Sequence, residues 1–400
     1  MLSVQILTTL CLTAASVLAP SVAPTLGIEP SRIGTFVGLA YFFAMLSGLR
    51  CGVWVERFGP IRLSQLALLM VALGSVMATL LGAGLLLVAA ALIGAGYGMS
   101  NPAAAVVLNR HVPGGSTGLF FSMKQAGVPI GVAVAGLVMP LGLHAVGWQI
   151  SAWLAAGVAL TAIVLLECVK RPLDDHAARR AAATAALGTS PIPSASQSIL
   201  APLVEVWLAP SLRRLALLSL IYASTQMAFV TFLVSLLKLE AGYSLTVAAG
   251  ILSASQVVST LARVGFGHVA DRWIAPGRLL GLLGLAMGVS CLALAHFSGT
   301  GGFTLTVIAV MACSATAMGW NGVYFAQLVR EVPAQKLAAT SGAAQFFTFC
   351  GGMSGPFLFG QFLQWGGSYA QGYLALAVLP ALTGLAMLNA QRSPTAAPIG

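Results

Sequence analysis

Along almost the whole chain, stretches of roughly 20 residues run with no or almost no charged side chain, the length an α-helix needs to cross the hydrocarbon core of a bilayer. Few folds can accommodate such a chain. In lipid the backbone finds no water, so a lone segment of this length satisfies its N–H and C=O groups only as a helix. Charged residues make up 7% of the sequence and hydrophobic ones 58%, whereas about 25% of a soluble domain is charged. The apolar segments lie near 3–25, 33–55, 62–81, 84–108, 117–142, 149–168, 213–236, 244–266, 278–297, 303–327, 338–363 and 369–389. They predict an all-α membrane protein of twelve transmembrane helices, with the lipid bilayer as its partner.

The two halves of the chain repeat each other. Gly52-Val53-Trp54-Val55-Glu56-Arg57 returns as Gly267-His268-Val269-Ala270-Asp271-Arg272, with glycine, acid and arginine each displaced by 215 residues. Asn101, Arg110, Val112 and Pro113 match Asn321, Arg330, Val332 and Pro333 at an offset of 220. These matches lay helices 1–6 on helices 7–12 as two pseudo-symmetric six-helix bundles. The expected division is a first bundle at 1–168, a cytoplasmic linker at 169–212, a second bundle at 213–389 and a cytoplasmic tail at 390–400. The linker is charged and rich in Pro, Ser and Ala, and reads as a tether with a surface helix near Ala181 to Leu187 as the alternative.

The net charge of +10 does not point to nucleic acid, because the basic residues are dispersed over loops and form no stripe. Their distribution sets the orientation. With the N-terminus inside, fourteen Lys and Arg fall on the cytoplasmic side, against Arg32 and Lys238 outside, as the positive-inside rule requires. Both termini are therefore expected in the cytoplasm, and the protein in a bacterial-type inner membrane. Met1 to Pro20 carries no Lys or Arg ahead of its apolar run, so it reads as a first helix and not as a signal peptide. The six cysteines fall within or at the ends of apolar runs, without a short paired spacing, and read as small buried hydrophobes.

Each copy of the repeated motif stands at the cytoplasmic end of a helix. Its glycine permits close helix approach, and its carboxylate and arginine suit a breakable latch, which assigns gating to Gly52, Glu56, Arg57, Gly267, Asp271 and Arg272. The whole run Gly52 to Arg62, Gly-Val-Trp-Val-Glu-Arg-Phe-Gly-Pro-Ile-Arg, resembles the loop 2–3 signature of the major facilitator superfamily, with Glu56 where aspartate is more usual. The resemblance implies a central cavity lined by helices 1, 4, 7 and 10, helped by 2, 5, 8 and 11. It also implies a monomer. The arginine that this superfamily often carries on its fourth helix would fall near Ala90, which argues against proton coupling by that route.

Scaffold residues recur in both halves, so polar residues that do not recur are the better candidates for substrate chemistry. Arg50, Lys124 and Arg263 are the basic residues inside apolar segments, where a charge is costly and usually faces a cavity or a partner. Arg50, six residues before Glu56, reads as structural. Lys124 aligns with Gly351 and Arg263 with Gly48, so neither belongs to the repeated frame. With no acid at mid-membrane depth, the interior is net cationic and favours an anion. The spacing Arg263-x-x-x-Gly267-x-x-x-Asp271 is similar to the eighth helix of monocarboxylate transporters and of the oxalate/formate exchanger. That similarity implies carboxylate binding by Arg263, with Val264 where those families usually have proline.

Neutral groups that complete the candidate site are Gln256, two turns before Arg263 on the same face; Tyr222 and Gln226, paired at i,i+4; the repeat partners Asn101 and Asn321; and Tyr324. The glycines around Pro129 and Pro356 read as close helix packing. Five scattered histidines give no metal site or catalytic dyad, no phosphate-binding loop occurs, and no cofactor is expected. The expected function is secondary active transport of a small carboxylate-like anion by alternating access, as exchanger or proton symporter, and not enzymatic. A broad-specificity drug or metabolite exporter and a non-transporting membrane sensor are the alternatives.

Overall fold

The computed structural model describes residues 1–80, 83–111, 124–186, 201–333 and 336–390; within its helices the side chains of 52, 53, 56, 83, 101, 102, 105, 108–111, 169–186 and 337–339 are outside the description. The long helices are α1 (Leu2–Val22), α2 (Ile33–Phe58), α3 (Pro60–Met77), α4 (Ala83–His111), α5 (Gly127–Val146) and α6 (Trp148–Ala186), then α7 (Pro210–Ser235), α8 (Leu245–Arg272), α9 (Pro276–Thr300), α10 (Gly302–Glu331), α11 (Leu337–Gln364) and α12 (Tyr369–Ala390). Eleven of the expected apolar segments each overlap one of them along most of their length; the fifth, 117–142, overlaps α5 from Gly127 on, and its residues 117–123 lie outside the described residues. Ten spans have the length and apolar composition to cross a membrane, and α4 contributes a shorter apolar stretch, Gly84–Ser100.

Local chemistry explains where several helices begin. Pro60, Pro210 and Pro276 stand in the first turns of α3, α7 and α9, where a missing N–H costs nothing. The Ser244 side chain accepts from Val247 N and caps α8. Between α2 and α3 the chain turns at Gly59 with φ 83°, a backbone conformation that favours glycine. The second glycine of the repeated motif's loop therefore has a steric cause.

The chain divides into two compact units, Met1–Leu26 with Thr35–Ala201, and Gly27–Gly34 with Pro202–Gly400. In the first, α1 packs on α5 and α3 packs on both α4 and α6, while Ser47 and Cys51 of α2 reach carbonyls of Ala95 and Met99 in α4. In the second, α7 packs on α11, α9 on α10 and α12, and α8 on α10. The packing of the second unit thus repeats that of the first, helix for helix. Glycines make the closest of these contacts: a Cβ on Gly131 would lie 2.6 Å from the Ile6 carbonyl oxygen, and one on Gly351 would lie 2.0 Å from that of Leu220.

Polarity is arranged from the inside outward. Gln5, Thr8, Gln226 and Gln256 are buried, while Leu154, Val164, Val289 and Leu358 are among many exposed aliphatic side chains, the distribution expected of a protein whose outer solvent is lipid. The expected tether begins differently from its reading as coil. Helix α6 continues to Ala186, and a short helix, Ala201–Leu208, precedes α7. Its Trp207 stacks on Phe347 of α11, and its Glu205 pairs with Lys336.

Candidate functional site

In the first unit the polar centre is a residue that the sequence reading passed over. Gln5, fully buried in α1, accepts from Lys124 Nζ at 2.7 Å and from Ser100 Oγ at 3.1 Å through one oxygen, and donates from Nε2 to Thr9 Oγ1 at 3.2 Å. Lys124 stands three residues ahead of Gly127, where α5 begins, and is 3% exposed. Helix α5 comes close enough to α1 here that a Cβ on Gly127 would lie 2.9 Å from Gln5 Cβ. Lys124 is thus buried on an amide and does not reach outward along an interface. A signal for this was present, since Gln5 is the only amide in the otherwise apolar Leu2–Val22 stretch. Asn101, beside Ser100, is outside the described side chains.

Gln5→Leu is expected to lower the unfolding temperature, by the equivalent of about 1–3 kcal/mol, because it strips a charge-assisted bond from a buried ammonium. Adding Lys124→Met should recover most of that loss. Thermal unfolding of the two variants in detergent checks both expectations.

The second unit gathers more of the expected residues. Arg263, half-buried on α8, donates from Nε to the Met318 carbonyl of α10 at 2.9 Å. Asn321 Nδ2 lies 3.3 Å from the same carbonyl and 3.3 Å from Gln226 Oε1, which also accepts from Trp320 Nε1 at 3.1 Å. One network therefore joins Arg263, Asn321 and Gln226 across α8, α10 and α7. Ser314 Oγ donates to the Ser255 carbonyl at 2.7 Å and ties α10 to α8 two turns away. Gln256, 1% exposed, lies on the same side of α8.

Tyr222 and Tyr324 touch this network through ring contacts with Trp320. The Tyr222 hydroxyl donates to the Leu280 carbonyl of α9 at 2.8 Å, and its ring meets Trp320 edge to face, with centroids 5.6 Å apart. Tyr324, 2% exposed, flanks Trp320 on the other side within the same apolar cluster. The i,i+4 spacing of Tyr222 and Gln226 placed them on one helix face, yet the tyrosine's length carries its hydroxyl to α9 while the shorter glutamine stays with α10. In this structure the Tyr222 hydroxyl is taken up by the α9 backbone.

Only some of the expected latch residues have described side chains. Asp271 and Arg272 end α8, both exposed, and among the described residues neither forms an ion pair. Gly52 and Glu56 are outside the described side chains, and the exposed Arg57 lies over the Phe58 ring. Gly267 corrects one expectation: a Cβ there would meet nothing within 4 Å, so this copy of the glycine does not serve close helix approach. Arg62, the last residue of the first motif, pairs with Glu167 at 3.2 Å, and Gln65 Nε2 donates to the same carboxylate at 2.8 Å. Both charges are half exposed, so the pair contributes little to stability. Arg50 is exposed.

No match was found among curated proteins. Solved structures of similar fold include a bacterial homologue of the human lysosomal transporter Spinster in an inward-facing, unoccupied conformation, 14% identical with a TM-score of 0.70 over 97% of this chain and 93% of that one. A mutant of the peptide transporter POT is 17% identical with a TM-score of 0.73, covering 98% of this chain and 94% of that one. A mutant of the nucleoside transporter NupG is 13% identical with a TM-score of 0.71, covering 97% of each. At such identities the likeness is one of fold. The family model described as Major Facilitator Superfamily matches residues 1–356, and the chain belongs to that superfamily as a multi-pass membrane transporter.

Proposed function

We propose that this transporter moves a small organic anion, with the carboxylate docking on Arg263. The observation that carries the reading is the guanidinium itself, lodged in an apolar helix and hooked to the Met318 carbonyl that Asn321 also serves. A cation in such a segment is costly, and its planar fork matches a carboxylate. Asn321 and Gln226 brace the hook, so the guanidinium stem is held before the substrate arrives. Lys124, buried on Gln5, is a second cation, in the other unit. Alternating access as exchanger or proton symporter, a monomer, and an inner-membrane location with cytoplasmic termini complete the proposal.

Small carboxylates are expected to stabilise the purified protein in a thermal-shift screen, and at 100 times Kd the gain is about 2.7 kcal/mol. Failure of every carboxylate to stabilise it, with efflux of cationic dyes in its place, would sink the anion reading. In proteoliposomes the two coupling modes separate, since a symporter dissipates an imposed proton gradient and an exchanger does not.

A further inference from the structure

Helix α8 has two unlike faces. Val257, Leu261 and Val264, at 60%, 67% and 71% exposure, form the outer one, while Leu252, Ser255, Gln256 and Ser259 are buried on the other. Arg263 follows Ser259 by one turn on that inner side. Two side-chain oxygens there, Gln256 Oε1 and Ser259 Oγ, are buried with no hydrogen-bond partner among the described residues.

Turning the Gln256 amide round does not pair every group. Gln256 Nε2 lies 3.2 Å from Ser255 Oγ and 3.5 Å from the Leu252 carbonyl; a carbonyl only accepts, so turning the amide round would set two oxygens against each other. Ser253 and Ser255 return their hydroxyl hydrogens to carbonyls one turn back, and Ser259 does not. The face therefore offers one unused acceptor and one unused hydroxyl, three residues apart. Native structures rarely leave such groups unpaired without cause, and burial makes them costly.

We infer that Gln256 and Ser259 bind a hydroxyl group of the substrate, which makes the transported anion a short hydroxy acid. The inference rests on the reading of Arg263 as the carboxylate site. A hydroxyl both donates and accepts, so a single such group has the chemistry to pair with Gln256 Oε1 and with Ser259 Oγ. An ammonium only donates, and it would sit beside a guanidinium. Ser259 is four residues from Arg263, one turn or about 6 Å of helix rise along the same face, so a short chain carrying both groups is the substrate to try.

The test is calorimetric binding of butyrate and of 4-hydroxybutyrate to the full-length protein in nanodiscs. Wild type is expected to prefer the hydroxy acid by about tenfold. Ser259→Ala and Gln256→Leu should bring that preference close to one while butyrate binds as before, Ser259→Thr should restore it, and Arg263→Ala should lose both acids. Because Ser259 gives no hydrogen bond among the described residues, Ser259→Ala should not lower the unfolding temperature. A wild type without preference, or variants that keep it, overturns the inference while the anion reading stands. If neither acid binds, the anion reading fails and takes the inference with it.

Discussion

Arg263→Ala is expected to cut carboxylate transport in proteoliposomes by at least about thirtyfold while the protein stays folded. The magnitude follows from truncating one partner of a desolvated, hydrogen-bonded charge pair, which costs about 2–5 kcal/mol. The fold should survive because the α8–α10 contact does not depend on this side chain alone. Ser314 still bonds the Ser255 carbonyl, and Asn321 still reaches both Gln226 and the Met318 carbonyl. Arg263→Lys keeps the charge and loses the fork, so it should retain part of the activity. Counterflow of a labelled carboxylate, read beside the unfolding temperature, separates the possibilities. Transport that persists in Arg263→Ala would remove this arginine from the substrate's path.

The largest effect on stability is expected at Gly351. A Cβ there would lie 2.0 Å from the Leu220 carbonyl oxygen, and one turn on, a Cβ at Gly355 would lie 2.1 Å from that of Ser224. Helix α11 thus rests on α7 backbone against backbone, and no side-chain motion can make room. Gly351→Leu should force the two helices apart, at a cost of more than about 3 kcal/mol, and prevent the folded protein from accumulating. Gly267→Ala is the control, because open space surrounds that position and alanine favours a helix by about 1 kcal/mol over glycine. It should match or slightly exceed wild type in thermal unfolding. A Gly351→Leu protein that unfolds at the wild-type temperature would contradict the contact.

These two glycines show how unevenly the sequence can be read. Gly267 belongs to the repeated motif and was assigned to close packing, yet a Cβ there meets nothing within 4 Å among the described residues. Gly351 was read within a glycine stripe and does lie on a helix backbone. A glycine in an apolar helix looks the same in both settings, and only the neighbouring helix distinguishes them. The polar residues divide in the same way. Arg263, Gln226 and Asn321 stood out because charge and amides are costly in apolar segments, and the structure brings them together. Gln5 has the same chemistry, but its importance depends on Lys124, 119 residues away, and no local pattern encodes that pairing.

The sequence by itself determined the helical class, the duplicated frame and the presence of cations in apolar segments. Those features follow from hydrophobicity and spacing, which act within a segment or repeat at a fixed interval. Which oxygen each buried donor meets was decided only by tertiary structure. That choice kept Arg263 on the Met318 carbonyl, sent the Tyr222 hydroxyl to Leu280, and left Gln256 Oε1 and Ser259 Oγ unpaired among the described residues. The physical reason is range. A hydrogen bond reaches about 3 Å, so partners far apart in sequence are selected by the helix contacts that bring them within that distance.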